Sequence, residues 1–251
     1  MQVIRYGDLQ LILFGSEYLV IACDSSGGIG NKEGDQLQVD PEIAGYYAAF
    51  VPLIECMAVR GEVISLIDTL SVEMVPTGER IIHGIKKAVS EAGCLAEQIT
   101  GSTEDNIETK MTGIGVTVIG KVAKERVDRP LNSANKKVYL VGKPKVGQEL
   151  FEEEILGKMG EVLTLEIMQQ LIRQPFIEQL LPIGSKGIVH EIQVLEKRYG
   201  HTITMDNKEI DVNKSAGPAT CLLITVDATE CEHLEKIKQR IPVTYIGRFK
   251  E

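Results

Sequence analysis

Two short stretches carry the residue types that phosphate and metal chemistry need. The first is Asp24-Ser25-Ser26-Gly27-Gly28-Ile29-Gly30, where the apolar run Val20-Ile21-Ala22-Cys23 delivers an aspartate into a Ser/Gly segment. Glycines reach φ > 0 and permit close backbone approach, so several amides can point at phosphate oxygens. A carboxylate at a strand end can take a Mg2+ ion that the phosphates share. The segment is not a Walker A loop, because no Gly-Lys-Ser/Thr closes it and no helix starts there, nor is it a dinucleotide fingerprint. The same residues also suit an ordinary tight glycine turn with Asp24 as a turn residue. The second stretch is Thr100-Gly101-Ser102-Thr103-Glu104-Asp105-Asn106, followed by Thr109 and Thr112-Gly113. Its hydroxyls and glycine supply donors for an anion, and Glu104, Asp105 and Asn106 supply oxygens for a hard cation, a mixture that suits a metal–triphosphate site. A solvated polar loop with a helix cap has the same composition.

Other positions raise narrower questions. Glu55 lies in an apolar helical pattern and Asp68 in the apolar context Leu66-Ile67-Asp68, where a charge needs a partner, a metal or a route to water. Gly184-Ser185-Lys186-Gly187 leads into a helical pattern, so Ser185 and Lys186 make either a second phosphate contact or an ordinary cap. Lys143 and Lys145 in Gly142–Gly147 form a basic turn. His83 and His190 fall inside predicted helices, and no Ser/His/Asp or Cys/His arrangement follows from spacing, so no general base is assigned.

The elements that must position these residues can be read from periodicity. Leu9–Phe14 and Tyr18–Cys23 have strand length, with Gly15-Ser16-Glu17 as a hairpin turn between them. Asp24–Asp40 is polar and glycine-rich and reads as a loop. Pro41–Val59 has apolar residues at helical spacing, with Asp40 as N-cap and Pro41 in the first turn. Glu62–Glu73 reads as a strand, Glu79–Ala92 as an amphipathic helix ending at Gly93, and Thr112–Val122 as a strand rich in Val, Ile and Thr. The charged stretch Ala123–Lys137 reads as a linker. Beyond it, Val138–Val141 is a strand, and Gln148–Met159, Leu163–Leu171 and Gly187–Tyr199 are helices. His201–Met205 and Ile210–Val212 are short strands, Cys221–Val226 a buried strand, Cys231–Arg240 a helix, and Val243–Phe249 a final strand. The expected organisation is α/β, with a first domain over 1–122, a linker over 123–137 and a second domain over 138–251.

Composition narrows the partners. The chain has 251 residues, 43% hydrophobic and 25% charged, with a formal net charge of −9 and no Trp. That balance disfavours nucleic-acid backbones, anionic membranes and base-stacking surfaces. A small anionic ligand remains compatible with it, since a metal and backbone amides can hold one without a basic surface. No apolar run reaches the roughly 20 residues of a membrane span, and the first residues lack a signal-peptide pattern. The five cysteines are odd in number, widely spaced and free of any CxxC pair, which fits reduced thiols in a cytoplasmic protein.

The order of these features resembles the superfamily of aminoimidazole ribonucleotide synthase, thiamine-monophosphate kinase, selenophosphate synthetase and the hydrogenase maturation factor that dehydrates a carbamoyl group. A strand ends in Asp24, and a helix follows whose end, Ile54-Glu55 through Val63, is similar to the family's Asn-Asp-(apolar)-Gly-Ala-x-Pro stretch. A strand then ends in Asp68, and Thr100–Glu104 is similar to the family's Gly-Gly-Glu-Thr-Ala-Glu loop. The wording Ile-Ala-Cys-Asp-Ser-Ser-Gly-Gly-Ile-Gly, with Glu73–Gly78 and Thr100–Asn106, resembles a shorter "synthase-related" branch that includes α-ribazole kinase.

The resemblance implies two mixed α/β domains, with N-terminal sheets pairing into a barrel across a homodimer and ATP with Mg2+ near that pairing. It implies metal-binding roles for Asp24, Glu55, Asp68 and Glu104. Phosphate contact falls to Ser25, Gly27, Gly28, Thr100, Gly101, Ser102, Thr103 and Asn106, with Ser185 and Lys186 as second-domain contacts. It departs from the family in lacking the acidic Asp-Asp-Ala-Ala stretch near the N-terminus and in having Gly184-Ser185-Lys186-Gly187 in place of Asp-x-Ser-Asp-Gly-Gly. The implied activity is phosphorylation of a nucleoside-like alcohol such as α-ribazole. The alternatives are another ATP-dependent synthase, a thiamine-monophosphate kinase-like enzyme, or a nucleotide-binding homologue without turnover.

Overall fold

A computed structural model of the chain describes residues 2–155 and 159–250. The chain divides into two compact units, Met1–Val127 and Asp128–Glu251, with the division inside the charged stretch 123–137.

The first unit is built on a six-stranded sheet in the order β1-β2-β3-β8-β6-β7. The strands are β1 (Val3–Tyr6), β2 (Leu9–Phe14), β3 (Glu17–Gly27), β6 (Glu62–Leu70), β7 (Ile99–Thr103) and β8 (Gly113–Ala123). All neighbours are antiparallel except β6 and β7, which run parallel. Two residue pairs, β4 (Ile29–Gly30) and β5 (Leu37–Gln38), form a small separate ladder in the loop after β3. Alternation along β3 and β8 sends Tyr18, Val20, Ala22, Val116, Val118 and Val122 into the core.

Helix α1 (Pro41–Ala58) lies against this face, touching β3, β8 and β6. Asp40 caps it by accepting from the Glu42 amide, and Pro41 occupies the first turn, where a missing N–H costs nothing. Helix α2 (Glu79–Glu91) packs on α1 through two glycines. A Cβ on Gly45 would stand 2.1 Å from the Ile81 carbonyl oxygen, and one on Gly84 would stand 1.9 Å from that of Glu42. The opposite face of the sheet carries Ile12, Leu19, Ile21, Ile67 and Ile119, all half-buried, with the exposed Val3 and Phe14 toward the β1–β2 edge.

The second unit has a five-stranded antiparallel sheet, β10-β12-β9-β13-β11. Its strands are β9 (Lys136–Gly142), β10 (Ile177–Pro182), β11 (Ile203–Met205), β12 (Cys221–Asp227) and β13 (Val243–Phe249). A short helix, α3 (Lys124–Asp128), precedes β9. The other helices are α4 (Gln148–Ile155), α5 (Leu165–Ile172), α6 (Gly187–Tyr199) and α7 (Glu235–Lys238). The expected helix over Gln148–Met159 is described only to Ile155, and residues 156–158 lie outside the described residues. β12 is buried along nearly its whole length, and Ile188, Ile192 and Leu195 of α6 pack with Leu223 and Ile246 in the core. Ile210 and Val212, expected as a strand, instead anchor a turn against this core. The expected helix Cys231–Arg240 is a 3-10 stretch, Ala228–Leu234, leading into α7.

Candidate functional site

The register of the first sheet assembles a row of residues far apart in sequence. Asp24 on β3 pairs with Val116 on β8, Val116 pairs with Asp68 on β6, and Asp68 pairs with Gly101 on β7. Residues directly opposite each other share a face, so both carboxylates stand on the helix-covered side with Val116 between them. Two strand spacings put their Cα atoms about 10 Å apart. Asp68 is only 3% exposed and Asp24 is half-buried.

Burial pushes both aspartates toward the protonated form, more than backbone hydrogen bonds pull them back. Gly101 sits directly beneath the Asp68 carboxylate, and a Cβ there would come 2.2 Å from Oδ1. Only glycine leaves that carboxylate its place. β7 is an edge strand, so its outer row of amides and carbonyls has no strand partner among the described residues.

The glycine-rich stretch after Asp24 differs from its expected form. Asp24–Gly27 are not loop but the last residues of β3, paired with Gly113–Val116. Ser25 therefore faces the opposite side of the sheet from Asp24. Gly28 turns the chain at φ 72, yet its amide donates to the Thr112 carbonyl and its own carbonyl accepts from Gln36 and Leu37. The turn closes on the protein itself.

A residue that sequence reading passed over holds this turn. Asp35 is buried and accepts from the Thr112 amide (2.7 Å), the Thr112 hydroxyl (2.7 Å) and the Lys32 amide (2.8 Å). Lys32, its side chain 13% exposed, reaches Glu73 at 2.6 Å and the Thr109 carbonyl at 3.0 Å. Burial would raise the Glu73 carboxyl, but hydrogen bonds from Lys32 and Thr77 prevail and hold it down at about 2. An Asp–Thr pairing across 77 residues or a Lys–Glu pairing across 41 leaves no local signal, so neither could be found by spacing.

Glu104 folds its own loop: Oε1 accepts from the amides of Asn106 (2.8 Å) and Ile107 (3.2 Å). Asp105 accepts from the Met74 amide and the Thr103 hydroxyl, tying this loop to the turn before α2. Thr100 and Ser102 are exposed on the face opposite Asp68, while Thr103 shares the Asp68 face. Glu55 stands near the C-terminal end of α1, next to Cys56. The Cys56 sulfur lies 2.5 Å from where a Cβ on Gly120 would be, four residues along β8 from Val116. That is about 13 Å of strand from the aspartate row. The structure thus brings together Asp24, Asp68 and Gly101, and sets Glu55 apart.

Among the described residues no three His, Cys, Asp or Glu side chains gather as a preformed metal cage. The donor set instead offers two poorly solvated carboxylates. Mg2+ commonly takes one or two protein carboxylates and completes its shell with water and phosphate oxygens, a number of protein ligands that Asp24 and Asp68 can supply.

In the second unit, Ser185 and Lys186 are exposed, and Lys186 is the N-cap of α6 without a side-chain cap bond. The helix start is pressed on the turn at 212–213: the Val189 amide donates to the Val212 carbonyl, and a Cβ on Gly187 would stand 2.8 Å from the carbonyls of both Val212 and Asn213. Lys143 and Lys145 both pair with Glu161.

No protein-family model matches the chain, and no curated protein matches it in sequence. Solved structures do. Thiamine monophosphate kinase from Aquifex aeolicus superposes with a TM-score of 0.67 at 18% identity, over 98% of this chain and 89% of that one. HypE from E. coli, a hydrogenase maturation protein, gives 0.65 at 12% identity, over 92% and 80%. PurL of T. maritima, in complex with ATP, gives 0.59 at 13% identity, over 99% of this chain and 42% of that longer one. At these identities the likeness is one of fold: both units of the chain follow the mixed α/β architecture that thiamine monophosphate kinase, HypE and PurL share.

Proposed function

We propose that the chain is an ATP- and Mg2+-dependent kinase acting on a small, nucleoside-like alcohol. The observation that carries the reading is the aspartate row on the first sheet, Asp24 and Asp68 flanking Val116 with Gly101 beside them, in a fold whose solved examples include a kinase and an ATP complex. Asp24 and Asp68 are the residues that would hold Mg2+. When bound, the ion neutralises charge on the phosphate oxygens. Gly101 keeps the Asp68 carboxylate in place and lets a phosphate approach the backbone of β7. Glu104 and Asp105 act on this site by fixing the loop that leaves β7, rather than as metal ligands. Loose phosphoryl-transfer transition states depend mainly on positioning and charge neutralisation, which is consistent with the lack of an evident general base.

The working assembly in this reading is a homodimer paired through the apolar face opposite α1. Thr100 and Ser102 lie on that face, so the phosphate contacts expected of them belong to the dimer. The acceptor is the least constrained part, and α-ribazole is one of several nucleoside-like candidates.

The test is release of ADP from ATP and Mg2+ across nucleosides, α-ribazole and thiamine monophosphate. One alcohol acceptor should give turnover, and Asp24→Asn and Asp68→Asn should each lower it about 100-fold or more. Near-normal turnover in both variants removes the metal assignment. The sparse carboxylate set favours one second reading, a nucleotide-binding homologue without turnover. Mg2+-dependent ATP binding with no ADP from any acceptor would select it.

A further inference from the structure

A groove of about 960 Å3 opens in the second unit, at the ends of three neighbouring strands. Its floor is Lys136 of β9, Glu178 of β10 and Asp227 of β12, and its walls come from the end of α5 and the segment 229–240. The volume falls in the range of about 300–1,000 Å3 usual for small-molecule sites.

The acids of the groove are already engaged. Glu178 accepts from the buried Tyr199 hydroxyl (2.8 Å) and faces Lys136 (3.7 Å) and Arg129 (3.8 Å). Asp227 faces Lys136 at 3.4 Å and caps Thr229, and Glu230 faces His233 at 3.1 Å. What the wall still offers is exposed aromatic surface next to positive charge. The rings of Phe176 and His233 lie 5.4 Å apart at 35°. Lys236 and Arg240 continue the same segment. Arg240 pairs at 2.9 Å with Glu166, outside the groove lining, and Lys236 has no acidic partner among the described residues. On a chain with a net charge of −9, Lys236 is the charge to which an anion is drawn, with Arg240 shared between that anion and Glu166. A planar ring gains by lying on the Phe176–His233 surface, and a phosphate gains from Lys236 and Arg240.

We propose that this groove is a ligand site in its own right, for a small aromatic anion with the chemistry of a nucleoside monophosphate. It is separate from the aspartate row on the first sheet and stands whether or not the chain is a kinase.

The test uses AMP as probe, titrated calorimetrically into the full chain in EDTA, which silences Mg2+-dependent nucleotide binding. Saturable binding is expected, with inorganic phosphate at least ten-fold weaker. Lys236→Glu with Arg240→Glu should weaken AMP at least ten-fold and Phe176→Ala several-fold, with far-UV circular dichroism unchanged. Lys236→Ala, which leaves the Arg240–Glu166 pair intact, should give a smaller loss in a chain certain to keep that contact. Absence of saturable AMP binding overturns the proposal. So does AMP affinity that is the same in the charge and ring variants as in the wild type, or phosphate binding as tight as AMP, which would leave the ring surface without a role.

Discussion

At the scale of single residues, the first unit contains carboxylates poised in opposite senses. Glu73 is held down at about 2 because Lys32 and Thr77 donate to it, against the effect of burial. Its folded-state affinity for protons is lower than in the unfolded chain, so its contribution to stability is present above the ordinary glutamate range and fades as pH falls toward 2. Asp68 is the reverse. Burial raises it, so the ionised form opposes folding at neutral pH, and that penalty fades as pH falls through its raised value. Chemical denaturation at pH 7 should therefore show Glu73→Gln less stable by about 1 kcal/mol, allowing for solvent screening at a partly exposed group. Asp68→Asn should be more stable than wild type at pH 7. Both differences should shrink by pH 3. If Asp68→Asn were instead destabilised at pH 7, the carboxylate would be a structural acceptor and not a charge kept for a ligand.

At the scale of elements, α1 and α2 approach so closely that their contact depends on two missing side chains. Gly84→Ala gains about 1 kcal/mol of helix propensity. It also puts a methyl 1.9 Å from the Glu42 carbonyl oxygen, an overpacking cost of about 3 kcal/mol. The net expectation is a loss of about 2 kcal/mol, measured by urea denaturation, and a neutral result would show that the helices can part freely.

Most elements were legible because they rest on local signals. Asp40-Pro41 announces α1, Gly200 at φ 70 ends α6, and the Val/Ile/Thr run marks β8. What escaped was set by neighbours. β7 is a polar, glycine-containing edge strand that exists because β6 lies beside it. β10 is an edge strand ending at Pro182, and its ladder with β12 defines it more than its own composition does. Of the candidate site, Asp24, Asp68 and Gly101 were visible as residues. Their alignment on one row was not, because register is a property of strand pairs. Asp35 and Lys32 escaped for the same reason, their partners lying at Thr112 and Glu73.

At the scale of the whole molecule, the uncovered sheet face of the first unit has consequences for assembly. Ile21 and Ile119 pair with each other at its centre, flanked by Leu19 and Ile67. Contiguous apolar surface of this kind marks an interaction site. In the proposed homodimer, Ile21→Asp places a charge at the interface, and sedimentation equilibrium should show a dimer for the wild type and a monomer for the variant, with circular dichroism unchanged. A wild type that sediments as a monomer at all concentrations would remove the dimer from the proposed function.

The aspartate row also bears on how the chain matures. Its members come from positions 24, 68, 101 and 116, and the central strand β8 is the last of the sheet to leave a ribosome. Until β8 inserts between β3 and β6, Asp24 and Asp68 have no fixed distance from each other. Contacts so distant in sequence are paid for late in folding, after the loops between them have closed. Any ligand that engages both carboxylates therefore discriminates finished sheets from unfinished ones, and by mass action it protects only the former.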